Sequence, residues 1–163
     1  MIILNFEGGE CLRLHLDSLN GADFSGASFH RAIFNGLELK GATFVSADLR
    51  NANFEFAILN GANLQGASLM NATLRNAAMV KADFSWVVAV YADFSNADLF
   101  QANFQSADLA GVDFSCSDLC GANLNSKRLD SALFFGAKFD DLTIWPPGFT
   151  AEKLGAIKVA RRT

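Results

Sequence analysis

The chain has 163 residues, 51% of them apolar, and a formal charge of −4 from 13 basic and 17 acidic side chains. A single compact unit of this length can bury the larger part of its surface. A net negative charge disfavours direct nucleic-acid binding, which takes a surplus of Lys and Arg, and no stretch approaches the roughly 20 uninterrupted apolar residues of a membrane-spanning helix.

Residues 1–12 do not follow the pattern of the rest and are expected to form an N-terminal cap. Met1 to Glu7 has no basic segment ahead of a long apolar run, so no secretory signal is expected and a cytoplasmic location follows. Cys11, Cys116 and Cys120 are odd in number and contain no Cys-x-x-Cys pair. They are expected to be free thiols.

From residue 13 to residue 145 the chain repeats every five residues, as in Ala22-Asp23-Phe24-Ser25-Gly26 and Ala62-Asn63-Leu64-Gln65-Gly66. Every fifth residue from Leu14 to Ile144 is Leu, Phe, Met or Ile, except Ala89. Two residues before each centre, from Ala22 to Leu142, stands alanine, with Leu37, Val87, Val112, Ser117, Lys127 and Leu142 as the exceptions. A period of five fits neither the 3.6 of an α-helix nor the 2.0 of a strand, so the backbone must turn once per unit. The small and large apolar positions then face inward and the other three, rich in Asp, Asn, Ser and Gly, face solvent. Glycines such as Gly26, Gly61 and Gly111 share one phase and mark corners that need positive φ. Phenylalanine concentrates at centres in step with Phe24 and Phe34, every tenth residue. A square coil of four units and a flattened coil of two both accommodate that spacing.

Trp145-Pro146-Pro147-Gly148 ends the repeat, and residues 146–163 are expected to form a C-terminal cap with a short helix. Thr150 is the expected N-cap. Glu152 early and Lys158, Arg161 and Arg162 late suit the helix dipole, and Ala151, Leu154 and Ile157 supply an apolar face. Such caps cover the open ends of a coil.

The unit resembles that of the pentapeptide-repeat family, Ala-(Asp/Asn)-Leu-x-x, and Thr143 to Phe149 is similar to the tail that follows the repeats in cyanobacterial members. The resemblance implies an all-β fold, a right-handed quadrilateral β-helix with four units per coil. At a β spacing of about 4.8 Å the rod would be roughly 30 Å long. It also implies that a few relatives imitate DNA in outline and bind type II topoisomerases such as gyrase.

In such a coil residues twenty apart stack, which sets Asp93 over Asp113 and Asp98 over Asp118. Paired carboxylates could serve a glycosidase, but a flat side offers no cleft, and Asp is an ordinary outward residue of the repeat. His15 and His30 have no stacked nucleophile or carboxylate, and neither Cys116 nor Cys120 meets a histidine. No phosphate loop or zinc-protease motif occurs. No catalytic residue, metal or cofactor is expected.

Two surface features remain. Trp86, Val88, Val90 and Tyr91 occupy outward phases, with Met70 and Ala110 on the neighbouring coils, and such a patch reads as an interaction site for an unidentified protein or a second copy. Its alternative is a bulge at Ala89 that turns one of these side chains inward. Phe56, Phe100 and Val80 are further outward apolar residues. The second feature is acidic: Asp83, Asp93, Asp98, Asp108, Asp113 and Asp118 follow one another from Ala82 to Ser126 without a Lys or Arg. A 30 Å length of duplex would carry about 18 phosphates, and the 17 acids of the whole chain are opposed by 13 bases. The expected function is therefore a non-enzymatic interaction scaffold, with a DNA-mimicking topoisomerase regulator as the alternative.

Overall fold

The computed structural model describes residues 1–162; Thr163, the last residue of the expected cap, lies outside the described residues. It opens with an antiparallel hairpin of β1 (Ile2–Phe6) and β2 (Cys11–Leu14), turned through Gly8 and Gly9 with φ of 115° and 90°. The other edge of β1 pairs antiparallel with β3 (Ala32–Ile33) on the first coil, and Leu4 is fully buried against the core.

Beyond this hairpin the chain is a β-helix solenoid. Parallel bridges join residues twenty apart, from Asp23↔Thr43 through Asn63↔Asp83 to Asp118↔Lys138, while a hydrogen-bonded turn recurs every five residues. Each coil therefore makes four turns. One unit accounts for the pattern. Within residues 62–66 the Ala62 N–H closes the turn onto the Leu59 carbonyl at 2.9 Å. Asn63 donates to Ala42 on one neighbouring coil at 2.9 Å, and Leu64 and Gly66 donate to Asp83 and Ser85 on the other at 2.8 and 2.9 Å. The fifth N–H, on Gln65, donates to Asn63 Oδ1 at 3.0 Å. That local side-chain bond is why Asp or Asn precedes the central residue so often: it supplies the one acceptor the ladder lacks.

From Gly21 to Gly121 the corner residue two places after each centre is left-handed whatever its identity, as at Gly61 with φ 67°, Asn71 with 55° and Trp86 with 61°. Inside, Ala62, Ala89 and Ala102 are at most 1% exposed, and the phenylalanines stack between coils and meet edge-on across them. Phe34 lies on Phe54 at 4.5 Å and Phe84 on Phe104 at 4.8 Å, and Phe94 meets Phe104 at 83°. Alanine predominates because these rings and leucines fill most of the width of the coil and leave room for a small side chain at the neighbouring inward position, where Val87, Val112 and Ser117 are also fully buried.

The register shifts near the C-terminal end, against the uninterrupted five-residue count. Asp108 bridges Lys127 after nineteen residues, so Ser126 takes the inward small position and Lys127, which the count places inward, is exposed. The 3-10 turn Leu129–Ser131 restores the spacing and buries Leu129. Asn123 then bridges Ile144 after twenty-one residues. A turn at Asp140 inserts the extra residue: Asp140 Oδ1 accepts from the Leu142 and Gly121 N–H groups at 3.0 and 2.9 Å, and Thr143 N donates to the Asp140 carbonyl at 3.2 Å. Leu142 and Ile144 are consequently 49% and 52% exposed, and Trp145 packs edge-on against Phe134 and Phe139.

The expected capping helix is absent from the described residues. Thr150 makes no side-chain cap bond, Ala151–Leu154 form one 3-10 turn closed by Gly155 at φ 88°, and the chain returns to extended form. β5 (Ile157–Lys158) pairs parallel with β4 (Lys138–Phe139), continuing the ladder by one short side. Ala151 is buried, whereas Leu154 and Ile157 are 40% and 52% exposed, so the three do not form one apolar face. The ladder's unpaired edge offers backbone partners that a helix would leave unsatisfied, and Gly155 permits the turn onto it.

Two outcomes follow. Ala62→Arg buries an unpaired charge in the dry core and should give no soluble folded protein; native β-type circular dichroism with an unchanged melting temperature would contradict it. An added Cβ at Gly61 meets nothing within 4 Å, whereas at Gly111 it falls 2.5 Å from the Tyr91 ring, and both corners have positive φ. Gly61→Ala should therefore cost about 1 kcal/mol in left-handed strain alone. Gly111→Ala should cost more in chemical denaturation and also change Tyr91 fluorescence.

Candidate interaction surface

Trp86 and Tyr91 occupy consecutive corners, one at each end of the side formed by residues 87–90. Ala89 is fully buried, its N–H bonds to the Asp108 carbonyl at 3.0 Å, and Val88 bridges Ser68 and Asp108 in ordinary register. No bulge forms there, and Val88 and Val90 keep their outward phases. Trp86 is 58% exposed, Tyr91 69% and Val88 38%, while Val90 is half-buried. Met70, in the column of Val90 one coil before, is 38% exposed; Ala110, one coil after, is half-buried. The Tyr91 ring lies across Gly111, which has no side chain to displace it, and Lys127 Nζ stands 6.0 Å from the Trp86 ring centre.

This side gives up a bond to be apolar. Val88 stands where Asp or Asn elsewhere receives the outer N–H of the unit, and it has no oxygen to offer Val90. Bulky rings at left-handed corners are also uncommon in proteins. Phe56 is 57% exposed at another corner, and half-buried Val80 and Phe100 belong to a different side, so neither group extends the patch.

The six aspartates lie in four bridge columns, with Asp93 over Asp113 and Asp98 over Asp118. Asp83, Asp93, Asp98, Asp113 and Asp118 each accept the N–H two residues onward, at 2.8 to 3.2 Å. They do not present the bare charge that the local count suggests. Arg75 stands 3.7 Å from Asp93, Arg162 spans Asp98 and Asp118, and Arg128 pairs with Asp108. The hydrogen bonds from Arg128 hold the Asp108 carboxyl below its usual range. Asn103 donates to Asp83 at 3.2 Å. The three arginines lie outside the acidic segment in sequence, which is why counting along the chain missed them.

Other candidates stay apart. His30 faces Asn51 at 3.2 Å on the surface. Cys11 and Cys116 are exposed, while Cys120 is buried and its thiol is pushed up to about 12, chiefly by desolvation. Among the described residues no group of His, Cys, Asp and Glu is arranged to hold a metal, and no helix is long and apolar enough to cross a membrane. Exposed Leu133 and Phe135, at 56% and 76%, were missed; the Phe134-Phe135 pair was the signal, since only one of two adjacent residues can be a centre.

Comparison with curated proteins gives no match. Among solved structures, the pentapeptide repeat protein Rfr23 from the cyanobacterium Cyanothece 51142 is 24% identical with a TM-score of 0.52, over 77% of this chain and 88% of that one. A trypsin-treated form of QnrB1, a plasmid-mediated fluoroquinolone resistance protein, is 21% identical with a TM-score of 0.65, over 77% and 65%. These likenesses concern the fold. Eight copies of the pentapeptide repeats profile match residues 18–44, 47–85 and 79–115, more than half of the chain, in the region where the five-residue turns and twenty-residue bridges are most regular. The chain belongs to the pentapeptide-repeat family.

Proposed function

We propose that this protein is a non-enzymatic, cytoplasmic scaffold: a right-handed quadrilateral β-helix over residues 13–145, capped by 1–12 and 146–163, that binds a protein partner through the side between Trp86 and Tyr91. The observation that carries this reading is that side itself. Two exposed aromatic rings flank Val88 and Val90, at phases where most units of the repeat place polar residues. The backbone beneath is pinned by coil-to-coil hydrogen bonds, so the rings are presented on a rigid base and lose little freedom on binding. Tyr and Trp are the side chains most often found at the centres of such interfaces. The partner is either a different protein or a second copy of this one.

The likeness to QnrB1, a fluoroquinolone resistance protein, supports a second reading as a topoisomerase regulator. Its physical requirement is a dense face of negative charge, and the arginine pairs on Asp93, Asp98, Asp108 and Asp118 work against that. The scaffold reading ranks first for that reason.

Serine already occupies the left-handed corner at Ser46 and Ser106, so Trp86→Ser with Tyr91→Ser should leave the melting temperature nearly unchanged. Each truncation should weaken association by about 2 kcal/mol or more. Sedimentation, with affinity capture from the host if the protein is monomeric, reads the outcome; an oligomer or captured partner that survives the double change removes the assignment. In a gyrase supercoiling assay, with and without a fluoroquinolone, submicromolar protein should neither inhibit nor protect. Inhibition or protection that is lost when Asp93, Asp98, Asp113 and Asp118 become Asn would establish the second reading instead.

A further inference from the structure

After β5 the chain turns back along the outside of the coils. Val159 donates to the Phe139 carbonyl at 2.8 Å, and three residues later Arg162 has reached Asp118, one coil earlier, and Asp98, two coils earlier. Arg162 Nη1 donates to Asp98 Oδ1 at 2.7 Å and to Asp118 Oδ2 at 2.8 Å, and Nη2 donates to Asp98 Oδ2 at 2.9 Å. Its guanidinium carbon stands 4.6 Å from the centre of the Phe100 ring.

The receiving groups all sit on the coils. Asp98 and Asp118 bridge each other directly, and each carboxylate is oriented by a backbone N–H, from Phe100 at 3.2 Å and from Cys120 at 3.0 Å. Phe100 occupies an outward phase of the repeat, where a large ring has no core to fill. A carboxylate that takes both arms of the fork, a second carboxylate beside it and an aromatic face are the elements that distinguish a guanidinium from an ammonium. Lysine is a point charge and cannot make the paired contact. The ligand, by contrast, arrives on a short segment whose side chain is still 39% exposed.

We propose that Asp98, Asp118 and Phe100 form an arginine-binding site that the chain fills with its own Arg162, and that displacement of this segment opens the site to an arginine of a protein partner. The site lies on another side of the coil from Trp86 and Tyr91, and it stands whether or not that surface binds. A ligand tethered by a short flexible segment acts at an effective concentration on the order of mM. Free arginine is a poor competitor against that, whereas a partner segment with further contacts displaces it. The internal occupant thus restricts the site to partners that bring more than one side chain.

Cys120 reports on the segment. In register it lies between Phe100 and Asp140 on the neighbouring coils, its N–H donates to the Asp118 carboxylate that Arg162 contacts, and it is 2% exposed. In full-length protein carrying Cys11→Ser and Cys116→Ser it is the one remaining thiol. The probe is a fluorescent peptide with the sequence of residues 157–162, Ile-Lys-Val-Ala-Arg-Arg, followed by anisotropy. The Arg162→Ala variant should bind it at least tenfold more tightly than protein that retains Arg162. Replacing the peptide's last arginine by lysine, or Asp98 and Asp118 by Asn in the variant, should each weaken binding at least tenfold. Alkylation of Cys120 should be at least tenfold faster in Arg162→Ala, and the peptide should slow it again. Equal binding with and without Arg162, indifference to the lysine exchange, or indifference to the Asp→Asn changes would each overturn the proposal, as would an unchanged alkylation rate.

Discussion

The structure depends on satisfying five backbone N–H groups in every five residues while turning the chain once. The ladder takes three of them, the turn takes one, and the side chain before the centre takes the last, as residues 62–66 show in full. This explains why the unit is five residues long and why its polar positions are not interchangeable. Asp or Asn before the centre is an acceptor for a neighbouring N–H, and the corner residue accepts a left-handed backbone. Much of the chain's acidity is therefore a by-product of turning corners. A charge count along the sequence overstates what a partner meets.

The inward positions follow from the same geometry. A coil closed by four turns leaves room for one large side chain per side, and alanine occupies the gap next to it. The phenylalanines on two phases stack coil upon coil, while Leu64 continues one column between Phe44 and Phe84 and Leu74 the other between Phe54 and Phe94. Ala89 is an economy in this pattern: it is buried like its neighbours but contributes little volume. The most apolar outer side thus lies over the thinnest inner position, without any break in the bridges.

Most of the coil was legible in the sequence because one residue type per phase carries one physical role over many repeats. Legibility failed where a role passed to a different residue. Lys127 and Ile144 fit the five-residue count but not the backbone, since Ser126 and Trp145 take the inward places once the bridge spacing becomes nineteen and then twenty-one. Nothing in Asp140 to Thr143 announces its extra residue except an Asp whose carboxylate accepts the Leu142 N–H and a Thr whose hydroxyl accepts the Asp140 N–H. The segment after Thr150 has helical periodicity, yet a free parallel edge within reach outweighed it. At the surface, Trp86, Val88 and Tyr91 were legible as departures from a polar phase. The arginine partners of the acidic columns were not, because Arg162 meets Asp98 across sixty-four residues and no local pattern connects them.

The antiparallel entry of β1 gives the rod a direction for assembly. Every coil-to-coil bridge is parallel, but the first coil meets β1 antiparallel, and the outer edge of β1 is already taken by β2. On the side that β1 covers, a second molecule arriving with its terminal coil cannot extend the parallel ladder, since β1 runs the wrong way and its outer edge is paired with β2. Head-to-tail stacking in register, the ordinary hazard of an unpaired β edge, is thus opposed by strand polarity on one side of the entry coil.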